Sequence, residues 1–163
     1  MKPVDAISEK ILNLSQAMHV IRQWRSQNET IAFTNGVFDI LHQGHIFSLS
    51  QAANEADRLI VALNSDKSVK KIKGEARPLN NEDSRAHVLA ALMVTDLVII
   101  FDGETPIELI KTILPDVLVK GGDYKVDEVA GSKEVIANGG KVVINPLLPG
   151  YSTTGIINSM KNK

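Results

Sequence analysis

The stretch TIAFTNGVFDILHQGH, Thr30 to His45, carries a strand, a turn and the start of a helix. Thr30 to Asn35 is a short apolar run of strand type, and Asn35-Gly36 breaks it. Leu41 then opens a run to Glu55 that reads as a helix. His42 and His45, two of only four histidines in the chain, are three positions apart at its start and share one face. Gly44 between them keeps that surface uncrowded. Gly36, lacking a Cβ, is expected to bring backbone close to a ligand. A helix N-terminus presents free N–H groups and about half a positive charge, so it favours an anion. Two imidazoles added there donate hydrogen bonds without a lysine's permanent charge. The combination points to a polyphosphate site.

Outward from this stretch the same alternation repeats. Strands are expected at Asp57 to Asn64, Asp96 to Asp102, within DVLVKGG from Asp116, and within KVVINPLL from Lys141. Helices are expected at Asn81 to Met93, after Thr105 as cap with Pro106 as first helical residue, at Ser132 to Asn138 with Gly139 closing it, and over STTGIINSM from Ser152. Pro115 stops the run opened at Thr105. Before Thr30, Ile7 to Leu14 reads as a short helix, and Ser15 as the cap of a longer one carrying Ala17, Val20, Ile21 and Trp24. The pattern predicts an α/β chain with a doubly wound parallel five-stranded sheet. Residues 1–28 form an N-terminal helical extension and 29–163 the main domain. Ligands on such sheets bind beyond the carboxyl ends of the strands, at the switch in strand order.

Composition narrows the function. The 163 residues are 44% hydrophobic and 23% charged, as in a globular chain. A net charge of −1 gives no electrostatic case for nucleic acid, so any anion site is local. Without cysteine there are no disulfides and no thiolate zinc sites. No apolar run is long enough to span a bilayer, and MKPVDAISEK has no apolar signal core, so a cytoplasmic location is expected.

Other readings of the histidine pair are a metal site, which has no nearby third ligand, and two histidines of structural role only. There is no P-loop and no G-x-G-x-x-G fingerprint. TNGVFDILHQGH does resemble the (T/S)-x-G-x-F-D-x-x-H-x-G-H motif of the cytidylyltransferase-like nucleotidyltransferases. NSDKSVKKIKG, ARPLN, PDVLVKGGDY and STTGII extend the likeness over about residues 15 to 160. Within the family, the set is most similar to the heptose 1-phosphate adenylyltransferase branch, which also occurs as the C-terminal half of a bifunctional kinase/adenylyltransferase.

The resemblance implies a Rossmann-like fold, a homodimer, and transfer of AMP from ATP, carried with Mg²⁺, to a sugar 1-phosphate. His42, His45 and Lys73 would be catalytic. Asn35, Gly36, Val37, Phe38 and Gly44 would bind nucleotide at the first turn, with Lys120, Gly122 and Asp123 around the nucleoside. Ser152, Thr153 and Thr154 would hold the outer phosphates. Asn64, Asp66, Arg77 and Arg85 would serve the sugar-phosphate side. Asp39 is expected to cap the helix and Phe38 also to pack in the core. Lys67 to Asn80 reads as a charged loop, with Lys67, Lys70 and Lys71 in solvent. No metal is expected on protein ligands, and His19 and His87 carry no motif. Gly155 stands where many relatives have a basic or amide residue. A cytidylyltransferase for glycerol 3-phosphate, and a nucleotide-binding module without catalysis, are the alternatives.

Overall fold

The computed structural model describes residues 4–161; residues 1–3 and 162–163, which the expected domain limits include, lie outside the described residues. Five strands, β1 (Ile31–Gly36), β2 (Arg58–Asn64), β3 (Leu97–Phe101), β4 (Val117–Gly121) and β5 (Lys141–Asn145), form a single parallel sheet in the order β3-β2-β1-β4-β5. The helices are α1 (Leu14–Ser26), α2 (Gln43–Ala53), α3 (Asp66–Lys73), α4 (Glu82–Ala90), α5 (Ile107–Ile113), α6 (Ser132–Ala137) and α7 (Thr153–Lys161). The doubly wound five-stranded sheet is the one the alternation predicts.

Strand side chains alternate between two cores, because successive Cβ atoms point to opposite faces. Phe33, Ile60, Ile99 and Leu118 pack on one face with Ile21 and Trp24 of α1 and Ile110 of α5. Ala32, Val61, Val98 and Val119 pack on the other with Leu49 of α2 and Leu89 of α4. Each fully buried side chain of this size stabilises the fold by about 1.5–3 kcal/mol. The chain steps from β1 through β2 to β3, then crosses back to place β4 on the other side of β1. The switch in strand order therefore lies between β1 and β4, directly below the β1–α2 turn.

Several local expectations need correction. Ile7 to Leu14 is not a helix. A 3-10 turn at Val4–Ala6 precedes it, and the segment itself makes a second one, Ser8–Lys10, and then extends. Ile11 bridges Val98, the Leu12 N–H donates to the Val98 carbonyl, and Lys10 Nζ donates to the Thr95 carbonyl at 2.7 Å. The segment is pinned along edge strand β3, which covers backbone groups an edge leaves unpaired. The cap of α1 is Asn13, not Ser15. Its side chain accepts from the Gln16 N–H while Gln16 bonds back to the Asn13 N–H, a reciprocal capping box. Pro106 sits at the cap of α5 rather than inside it. The charged loop at Lys67 is helix α3, capped by Ser65, whose hydroxyl accepts from the Ser68 N–H. Ser68 and Val69 face inward, while Lys67, Lys70 and Lys71 are exposed.

Candidate active site

The β1–α2 turn is built tightly. Phe38 has φ +47°, a left-handed conformation that costs a non-glycine residue roughly 1–2 kcal/mol. It folds the ring back over Gly36, where an added Cβ would sit 2.8 Å from Phe38 Cε2. Gly36 is therefore required by the Phe38 ring. Phe38 is buried in the core, as expected.

Asp39 does not cap α2. Its side chain is fully buried and receives Arg77 Nε at 2.7 Å and the Leu79 and Asn80 N–H groups at 2.9 Å. Burial alone would raise this carboxyl. The N–H groups of Asn80 and Leu79 and the Arg77 guanidinium outweigh burial and hold it below the usual carboxylate range. Asp39 thereby fastens the Arg77–Asn80 segment beside the turn. It engages Arg77 through Nε, and the Arg77 Nη groups make no hydrogen bond among the described residues.

His42 takes the cap position of α2 with an extended backbone, and no side chain caps that helix. The His42 and His45 rings stack at 3.8 Å between centroids, 21° from parallel, with the Phe38 ring edge-on to His45 at 5.2 Å. Nδ1 of each histidine is buried without a hydrogen-bond partner among the described residues, so bonding to a ligand falls to Nε2. Burial, with His42 adding a second push, lowers His45 to about 4; burial lowers His42 as well. Two unit charges 4 Å apart repel by about 4 kcal/mol at an effective dielectric near 20, so the pair does not hold two protons. At pH 7 both rings are neutral.

A cavity of about 350 Å³ opens over the pair. Lys73, Arg77, Ser152, Thr153 and Thr154 line it, and Val37, Phe38 and Gly44 also border it. Ser152 caps α7, its hydroxyl accepting from the Gly155 N–H at 3.0 Å. A Cβ at residue 155 would lie 2.9 Å from that oxygen, so Gly155 leaves room for the cap. An adjoining cavity of about 190 Å³ shares His45 and is bordered by Asn35, Gly36 and Lys120. Lys120 Nζ lies 3.4 Å from Asn35 Oδ1 and 5.5 Å above the Tyr124 ring, and burial lowers its pKa.

Other expected site residues fall elsewhere. Arg85 is neither phosphate-facing nor a surface arginine. It is 2% exposed and donates to the carbonyls of Val37, Asn64 and Asn80 and to Asp66 Oδ1. Those bonds use four of its five N–H groups, so it ties the β1 turn to the β2 end instead of holding substrate. Asn64 is buried and donates to Ser68 Oγ, and Asp66 is engaged with Arg85. Both shape the backbone and border neither cavity. Gly122 has φ +118° and bonds the Asn145 carbonyl, and Asp123 is exposed. Neither borders these cavities. Tyr151, Gln43 and Ser48 were absent from the sequence-derived set. Tyr151 and Ser48 line the main cavity, and Tyr151 Oη donates to Gln43 Oε1 at 2.7 Å. The PGY stretch before STT was the available signal. Among the described residues no cluster of three or more His, Asp or Glu could hold a metal ion, and no helix is long and apolar enough to cross a membrane.

Comparison with known proteins identifies the family and the fold. The chain is 52% identical over 153 residues to the bifunctional protein HldE of Caulobacter vibrioides, covering 94% of this chain and 32% of that protein. It is 51% identical over 154 residues to HldE of Rhodospirillum rubrum, covering 94% and 31%. The chain thus spans about a third of the length of these curated relatives. A lipopolysaccharide core biosynthesis protein from Thermoplasma volcanium superposes with a TM-score of 0.60 at 29% identity, covering 74% of this chain and 97% of that one. The pantoate-beta-alanine ligase of Francisella tularensis, at 18% identity and a TM-score of 0.58 over 93% of this chain and 76% of the ligase, shares the fold. The cytidylyltransferase-like family model matches residues 33–159, a span that runs from within β1 through the histidine pair and into α7. The chain belongs to the cytidylyltransferase-like family of nucleotidyltransferases.

Proposed function

We propose that this chain transfers AMP from ATP to D-glycero-β-D-manno-heptose 1-phosphate, giving ADP-heptose and pyrophosphate for surface polysaccharide such as lipopolysaccharide. The observation that carries the reading is the stacked, neutral His42–His45 pair at an uncapped helix N-terminus, facing one cavity with Lys73 and Arg77. Half identity to proteins named bifunctional, over one third of their length, supports one of two activities residing in this chain.

The chemistry asks little of a general base. The acceptor is a phosphate monoester carrying about −1.5 to −2 charge at pH 7, and its oxygen is already a nucleophile. It attacks the α-phosphorus of ATP in line; the new P–O bond forms as the bond to the β-phosphate bridging oxygen breaks, and pyrophosphate leaves with that electron pair. Catalysis is then alignment of two anions and neutralisation of the charge on the transferring and leaving groups. His42 and His45 donate from Nε2 to the α-phosphate region, His45 chiefly in the transition state. Lys73 and the free Nη groups of Arg77 offset the growing charge, and the α7 N-terminus with Ser152, Thr153 and Thr154 holds the outer phosphates. Mg²⁺ arrives with the nucleotide. Asn35 and Lys120 border the adjoining cavity, on the side that suits the nucleoside or sugar. A cytoplasmic homodimer is part of the same reading.

Pyrophosphate release measured over a panel of ATP and CTP against heptose 1-phosphate and glycerol 3-phosphate tests it. Turnover with ATP and the heptose is expected. Turnover with CTP and not ATP would overturn the adenylyl assignment, and ATP binding with no turnover on any acceptor would mark a non-catalytic module.

A further inference from the structure

Tyr151 is outside the known motif pattern, yet it lines the site cavity. It follows Gly150, which takes φ +85°, and precedes Ser152, the cap of α7. Its hydroxyl donates to Gln43 Oε1, the residue between His42 and Gly44. Its Cβ fills the space beside Gly44, where an added Cβ would come within 2.9 Å of it and 3.1 Å of the His42 ring. Its own ring lies 6.2 Å from His42, 27° from parallel. Tyr151, His42, His45 and Phe38 thus form one continuous run of rings, with neighbouring centroids 6.2, 3.8 and 5.2 Å apart. It extends from the turn after β1 to the start of α7, across the cavity.

We infer that Tyr151 is a positioning residue: seated against Gly44 and bonded to Gln43, it holds His42 flat on His45 and sets the α7 N-terminus over the same cavity. The glycine of the His-Gln-Gly-His run is needed in this chain to admit it. The consequence rests on the reading of the cavity as a triphosphate site. Tyr151 touches no reacting atom; it acts through His42 and through the backbone that carries Ser152. Losing it lets the ring of His42 and the phosphate-facing hydroxyls sample wrong geometry, and nucleotide binding weakens before the chemical step does.

The test compares wild type with Tyr151→Ala, Tyr151→Phe and Gln43→Leu in two measurements. The first is the imidazole NMR spectrum of the protein without nucleotide. The His42 ring resonances should move in Tyr151→Ala and return most of the way in Tyr151→Phe, which keeps the ring. The second is steady-state pyrophosphate release. KM for ATP should rise about tenfold in Tyr151→Ala with a smaller fall in kcat, and about threefold in Tyr151→Phe and Gln43→Leu. Wild-type resonances together with wild-type KM in Tyr151→Ala, or a lowered Tm with neither changed, would overturn the inference. If wild type releases no pyrophosphate, the proposed function falls, and the NMR comparison alone decides whether Tyr151 holds His42.

Discussion

At the residue scale, Asp39 and the histidines work by opposite electrostatics. Asp39 is kept charged by three donors, while burial keeps His42 neutral, and burial with the His42 charge keeps His45 neutral. The Asp39 pKa is depressed in the fold. Its contribution is full above the unfolded carboxyl pKa of about 3.9 and is lost as the pH falls through the lower folded value. Asp39→Asn should therefore destabilise by about 3 kcal/mol at pH 7, because a buried partner set is broken. The gap between mutant and wild-type melting temperatures should close on acidification below pH 4. A gap that is constant from pH 7 to pH 3 would show that Asp39 acts by packing and not by charge. The sequence made the histidine pair readable, because a three-residue spacing is local. It could not show that Asp39 is a fastener, since its partners Arg77, Leu79 and Asn80 are some forty residues away and only the fold brings them together.

At the element scale, regular strands and long helices were legible because period 2 and period 3.6 differ over a few residues. Two elements were not. Helix α3 buries only Ser68 and Val69, so its lysines drown the apolar signal; the Ser65 cap was its one local mark. The segment at Ile7 has apolar residues at helical spacing, but pairing with β3 and the Lys10–Thr95 bond decide its conformation. Tertiary contacts override local preference in both. Arg85 binds these elements into a site. It links the turn after β1, the end of β2, the first residue of α3 and the approach to α4. Arg85→Met keeps much of the volume and removes all four bonds, leaving three carbonyls without their donor. A loss of about 3 kcal/mol follows, a drop of roughly 6–12 °C in Tm for a domain of this size. Thermal unfolding measures it; an unchanged Tm would refute the role as a tie.

At the scale of the whole molecule, the strand order places the site. The chain reverses between β1 and β4, and the β1–α2 turn, Lys120 and the start of α7 line the two cavities there. Residues from Asn35 to Thr154 converge on two adjoining cavities that share His45, which suits a reaction joining a nucleotide to a second phosphate. The general position was legible in the strand–helix alternation. The run of rings through Tyr151 was not, because it joins segments more than a hundred residues apart. The most direct measurement is the turnover of His45→Ala in pyrophosphate release from ATP and heptose 1-phosphate, with its Tm measured alongside. A fall in kcat of about a hundredfold or more, with the Tm near that of wild type, is the predicted result, since losing one donor aimed at developing charge typically removes this much. A kcat equal to that of wild type would contradict the assignment of the histidine pair to transition-state stabilisation.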